Sequence, residues 1–131
     1  MATLKLLLDT HVFLWAIDQP GMLSRKVKKA LLEERNELYV SVASIWEIRL
    51  KIQAGKLKVP MEPEFLESNL RKLGLKAYVP VELFHVYQTD RLAVIHKDPF
   101  DRLLVAQAMV EGMTLVSKDA AIAAYGVPVL W

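Results

Sequence analysis

The sequence predicts an α/β fold: a three-layer α/β/α sandwich on a mostly parallel sheet. Three observations predict it. Short apolar runs of strand length alternate with segments of helical periodicity along the chain. The helical segments lie between the strands, where right-handed crossovers require them. Apolar residues make up 53% of the 131 residues, enough for a real core.

The elements follow in order. Leu4 to Leu8 is a buried strand by its length. Thr10 to Ile17 is a first helix, carrying Val12, Phe13, Leu14 and Trp15 and ended by Gln19-Pro20-Gly21. Ser24 caps a second, Arg25 to Arg35. It has Val27, Leu31 and Leu32 on one face and Lys26, Lys28 and Lys29 in solvent. Leu38 to Ser41 is the next strand, and Ala43 to Ala54 a third helix, stopped at Gly55. Pro63 opens a fourth, periodic in Phe65, Leu66, Leu70 and Leu73 and closed at Gly74. Ala77 to Val79 is a brief strand and Glu82 to Leu92 a fifth helix. Pro99 to Glu111 is a sixth, ended by Gly112. Met113 to Val116 is a strand, Ala120 to Tyr125 a short helix, and Pro128 to Leu130 the last strand. No repeat, linker or low-complexity stretch intervenes, so a single domain over residues 1–131 is expected.

The bulk properties exclude more than they assign. Net charge is +2 and the pI near 8.9, compatible with a polyanion partner and weak evidence for one. There is no cysteine, which excludes disulfides and Cys-ligated zinc and favours an intracellular setting. No apolar run reaches the ~18 residues of a membrane span. Asp9, His11 and Asp18 interrupt the N-terminal stretch too early for a leader. A soluble cytoplasmic protein with no membrane partner is expected.

Four acids carry the functional reading: Asp9, Glu47, Asp101 and Asp119. Each adjoins or interrupts an apolar run. Asp9 and Asp119 directly follow strands, so both should project at the carboxyl edge of the sheet, where such folds bind ligands. Asp101 lies in the first turn of a helix that can start there. Carboxylates brought together repel, and desolvation raises their pKa. A hard divalent cation with oxygen ligands, Mg²⁺ or Mn²⁺, removes both penalties. One or two such ions can activate water and stabilise the leaving oxygen of a phosphodiester.

Each acid also has a plain structural reading. Asp9 can cap the helix at Thr10, and Asp119 the helix at Ala120. Asp98, Pro99 and Asp101 resemble a capping-box start, although Asp at N3 reaches back poorly. Glu47 can pair with Lys51 one turn later on an exposed face. Thr10 and Ser117 can add hydroxyls around the acids, and Asp98 an outer carboxylate. Lys97, Arg102, Lys118 and Arg49 can form a basic rim for nucleic-acid phosphates, or be ordinary surface charge. His11 and His96 can donate to phosphate, although a lone His near a helix end is more often structural. His85 shows no sign of function.

The ordered set resembles the PIN domain, specifically the VapC-type ribonuclease toxins. The resemblance rests on the strand ending in Asp9-Thr10, on Ala43-Ser44-Ile45-Trp46-Glu47-Ile48, on Asp98-Pro99-Phe100-Asp101-Arg102-Leu103-Leu104-Val105-Ala106-Gln107-Ala108, and on Leu115-Val116-Ser117-Lys118-Asp119. It implies a Mg²⁺- or Mn²⁺-dependent endoribonuclease that dimerises and is inhibited by a cognate antitoxin. The family's acids fall on Asp9, Glu47, Asp101 and Asp119, and its small hydroxyl on Ser117. The tryptophans Trp15, Trp46 and Trp131 offer apolar surface for partners, Trp46 foremost because its helix also carries Glu47. Two alternatives stand beside this. One is a PIN-fold scaffold that binds RNA or protein without turnover. The other is a carboxylate-metal phosphatase, although a haloacid-dehalogenase type would want Asp where His11 stands. The five glycines form no phosphate-cradling loop.

Overall fold

The computed structural model describes residues 3–58 and 62–131. Five strands form one sheet: β1 (Lys5–Leu8), β2 (Glu37–Ser41), β3 (Leu75–Val79), β4 (Thr114–Val116) and β5 (Val129–Leu130). Their spatial order is β3-β2-β1-β4-β5, and every pairing is parallel. The helices are α1 (Thr10–Asp18), α2 (Arg25–Leu32), α3 (Val42–Gln53), α4 (Pro63–Leu73), α5 (Leu83–Thr89), α6 (Pro99–Glu111) and α7 (Ala120–Ala123). A 3₁₀ turn spans Pro20–Met22.

The strand period of two builds the layers. Leu6, Leu7 and Leu8 of β1 are all fully buried. Leu6 and Leu8 enter a core with Val12, Phe13, Val27, Ile48, Leu66 and Leu70, from α1 to α4. Leu7 points the other way, into a second core with Leu104, Val105, Ala108, Leu115 and Ile122. A central strand covered on both faces reads as a continuous apolar run.

Three helices end two or three residues short of the sequence expectation, the last of them at Ala123 rather than Tyr125. The second helix stops at Leu32 rather than Arg35, because Asn36 Nδ2 donates to Ala30 O at 3.0 Å and turns the chain toward β2. The fifth ends at Thr89 rather than Leu92. Arg102 donates to the carbonyls of Thr89 and Ala93, both at 2.9 Å, and holds the following residues as a loop. The third strand begins earlier than expected, at Leu75. Gly74, at φ +94°, closes α4 in the left-handed conformation and releases the chain directly into the sheet. His85 is fully buried and ties α5 to α6. Its Nδ1 accepts from Glu82 N–H at 2.9 Å, and its Nε2 lies 3.3 Å from Glu111 Oε1.

The chain runs outward from β1 through β2 to β3, then returns to the other side of β1 as β4. The crevice outside the carboxyl ends of β1 and β4 is therefore the topological switch point, where open parallel sheets bind ligands.

Candidate active site

Asp9 leaves β1 at that crevice. Its N–H donates to Val116 O at 3.0 Å, continuing the β1–β4 pairing by one residue. Its Oδ1 accepts from Val12 N–H at 2.8 Å and caps α1. The side chain is buried, and burial pushes its carboxyl above the ordinary value. Hydrogen bonds from Ser117 and Val12, and the charge of His11, pull it back; Glu47 pushes it up.

Glu47 lies in the middle of α3 and is buried, with 6% exposure. Thr10 Oγ1 donates to its Oε1 at 2.7 Å and lies 3.0 Å from Ser44 Oγ. Lys51 Nζ is 3.0 Å from Oε2. The expected pair with Lys51 forms, but on a face turned inward to Asp9's helix rather than out to water.

Asp98 caps α6, its Oδ1 accepting from Phe100 N–H at 2.8 Å and, more weakly, from Asp101 N–H at 3.4 Å. Asp101 does not reach back to complete a capping box. Its Oδ2 instead lies 3.4 Å from His96 Nε2. Burial, then the charge of Asp98, raises its carboxyl to about 6; Asp9 and Glu47 add to the rise and His96 opposes it. Asp119 caps α7 with Oδ1, which accepts from Ala121 N–H at 2.9 Å. Its Oδ2 lies 2.8 Å from His96 Nε2. Burial would raise this carboxyl, but the bonds from His96 and Ala121 outweigh it and the value falls. The same contact with Asp119 raises His96.

Ser117 links two of the acids: it accepts from Asp119 N–H at 3.1 Å and donates to the Asp9 carboxylate. Asp101 is thus within electrostatic reach of Asp98, Asp9 and Glu47, and Asp9 of Glu47, while Asp119 joins Asp101 through His96. Among the described residues, one donor atom from each of His96, Asp101 and Asp119 lies within 4.8 Å of the others.

The expected basic rim is only partly assembled. Lys97 and Lys118 are exposed beside the acids. Lys97 joins Lys51, Lys56, Glu47, Asp98 and Phe100 around a groove of about 550 Å³. Arg102 is not at that rim: its guanidinium is spent on the Thr89 and Ala93 carbonyls and the Tyr125 hydroxyl. Arg49 lines a separate cavity with Val42, Glu67 and Tyr78. Sequence reasoning undervalued His96, whose signal was its place two residues before Asp98. It missed Lys56, which nothing in its neighbourhood marked. His11 is exposed, its ring 5.9 Å from that of Trp15.

Comparisons with known proteins bear on the whole chain. The PIN domain family model matches residues 6–128. A search of curated proteins finds no significant match. Several solved structures share the fold. VapBC2 from Rickettsia felis, bound to a DNA fragment from its promoter, has a chain with TM-score 0.70 at 17% identity, covering 97% of this chain and 98% of that one. FitAcB from Neisseria gonorrhoeae gives 0.67 at 19% identity, with 96% of each chain covered. A toxin–antitoxin complex from Klebsiella pneumoniae gives 0.61 at 16% identity, with 97% of each covered. With the family model running from the first strand to the last loop, this chain belongs to the PIN-domain family.

Proposed function

We propose that this protein is a Mg²⁺- or Mn²⁺-dependent endoribonuclease, the toxin of a toxin–antitoxin pair, acting in the cytoplasm. The observation that carries the reading is the gathering of acids at the switch point, with Asp9 raised by burial and by Glu47, and Asp101 by burial and by Asp98, Asp9 and Glu47. Structural carboxylates are seldom left in that condition, and it is what a bound divalent cation relieves. The donor set fits such an ion, being made of hard carboxylate oxygens and within ligating span at Asp101 and Asp119. Asp9, Glu47, Asp101 and Asp119 would hold one or two ions. When bound, the ion supplies charge stabilisation to the phosphoryl group and lowers the pKa of an attacking water.

The remaining chemistry belongs to the chain. Thr10 and Lys51 fix the two oxygens of Glu47, so that this carboxylate cannot swing away. Ser117 orients Asp9, and Asp98 fixes the first turn that carries Asp101. Lys97 and Lys118 attract the RNA backbone, and Lys51 with Lys56 extends that attraction along the groove. The toxin assignment is supported by the fold shared with VapBC2 and with a chain of a toxin–antitoxin complex. It implies a cognate antitoxin and a homodimer. Trp46 is the proposed antitoxin contact: it is 61% exposed, and its ring meets Phe100 at 5.5 Å beside the groove.

Cleavage of a panel of single-stranded RNAs tests the reading. The protein should cut with Mg²⁺ or Mn²⁺ and stop cutting in chelator. Asp9→Asn and Asp101→Asn should each lose roughly 100-fold or more of that activity while still folding. Full activity in both variants would remove the acids from the reaction. Binding of RNA without cleavage would favour the scaffold alternative.

A further inference from the structure

His96 is the polar side chain at this site that the proposed reaction does not use. It stands in the loop between α5 and α6, where Nε2 lies 2.8 Å from Asp119 Oδ2 and 3.4 Å from Asp101 Oδ2. Its other ring nitrogen, Nδ1, accepts from Asp98 N–H at 3.3 Å. The ring proton is therefore on Nε2, aimed at both carboxylates, and that nitrogen has no lone pair to offer an ion.

The loop that carries His96 is itself fixed. His96 N–H donates to the Tyr125 hydroxyl at 2.7 Å. Arg102 Nη1 reaches the same hydroxyl at 3.5 Å and donates to Ala93 O at 2.9 Å; Nη2 donates to Thr89 O. Asp119 needs such support. It sits at the start of a four-residue helix, its side chain is 39% exposed, and only Oδ1 is held by its own backbone. The free oxygen, Oδ2, is the one that His96 takes.

We propose that His96 is the positioning residue of the carboxylate centre: its Nε2–H bridges Asp119 and Asp101, and Tyr125 with Arg102 fixes the ring in that place. This rests on the divalent-cation reading of the acids. Without the bridge the two carboxylates repel and Asp119 turns freely toward solvent. With it they stay at a separation from which both can reach one ion. Hydrogen-bonding partners of ligating groups act on metal affinity in this way.

Calorimetric titration of Mn²⁺ into the wild type and three variants tests the proposal, with metal-free melting recorded beside it. His96→Leu should weaken Mn²⁺ affinity about 10- to 100-fold. His96→Gln, which keeps an N–H donor of similar reach, should recover most of that loss at a similar metal-free melting temperature. Tyr125→Phe should weaken affinity less than His96→Leu, because the ring stays but its backbone anchor goes. Should His96→Leu fail to fold, Tyr125→Phe carries the test alone, and wild-type affinity there overturns the proposal. Wild-type affinity in His96→Leu overturns it too. So does a directly coordinated ¹⁴N signal in the electron spin echo of the Mn²⁺-loaded wild type that His96→Gln abolishes, since it makes the imidazole a ligand. A wild type that binds no Mn²⁺ overturns the cation reading itself, and a wild type that binds while His96→Leu is unchanged overturns the positioning role alone.

Discussion

At the scale of the residue, capping and site chemistry are not rivals here. A carboxylate has two oxygens. Asp9 and Asp119 each give Oδ1 to the first turn of a helix and keep a second oxygen on the crevice side, which at Asp119 is the one His96 holds. That is why each acid had a sound structural explanation in the sequence, and why only their shared placement separates the two roles. Asp101 differs, because its position is held against a cost. Its carboxyl is raised from 3.8 to about 6, so the folded state binds this proton more tightly than the unfolded chain does. The resulting stabilisation is complete below about pH 4 and lost as pH rises through 6. At pH 7 without metal, the ionised group should cost about 1–2 kcal/mol, a figure reduced because water reaches it. Asp101→Asn should therefore melt several degrees higher than the metal-free wild type at pH 7, with little difference at pH 4. Thermal melts at both pH values check this, and an Asn variant less stable at pH 7 would contradict it. Millimolar Mg²⁺ or Mn²⁺ should raise the wild-type melting point and leave that of Asp101→Asn nearly unmoved.

At the scale of the element, the sequence was most legible where local chemistry decides. Gly74 and Gly112 end α4 and α6, and Asp98-Pro99 opens α6, as the spacing predicts. The run Leu6-Leu7-Leu8 was legible as a buried strand because both of its faces are covered. The end of α5 was not, because Arg102, thirteen residues beyond Thr89, sets it through a side-chain bond that no local pattern announces. The same bond took Arg102 from the expected rim. Two measurements belong to this scale. Leu7→Ala should cost 2–5 kcal/mol in chemical denaturation, roughly the range for a fully buried leucine that cannot be refilled. Asp98→Ala should cost about 1 kcal/mol by removing the α6 cap, and Asp98→Ser should restore most of it. If Asp98→Ser also keeps Mn²⁺ affinity, Asp98 acts as a cap; a large loss of affinity in a stable Ser variant would make it a ligand.

At the scale of the molecule, the parallel order β3-β2-β1-β4-β5 explains why acids distant in sequence meet. Alternating strands and helices made the layers legible from the chain, and the carboxyl-edge rule located the crevice. The cations around that crevice were legible only in part: Lys97 and Lys118 adjoin the acids in sequence and Lys51 pairs with Glu47, whereas Lys56 arrives on the turn beyond α3. The tryptophans also divide. Trp15 and Trp131 pack against each other at 5.9 Å, on the shoulder of the first core, while Trp46 stays exposed. No helix among the described residues is long and apolar enough to cross a membrane. Leu83, Phe84, Val86 and Tyr87 on α5 are 46–64% exposed, and the proposed homodimer would cover this apolar surface. Light scattering should report a dimer, and Tyr87→Glu should return it to monomer; a monomeric wild type would contradict the proposed assembly. The central claim is that the acids form a divalent-cation centre. Anomalous scattering from Mn²⁺-loaded crystals tests it most directly. The account predicts one or two peaks at the switch point, about 2.0–2.4 Å from carboxylate oxygens of Asp9, Asp101 and Asp119. A saturated crystal with no peak there, or with Mn²⁺ only at other surface acids, would contradict it.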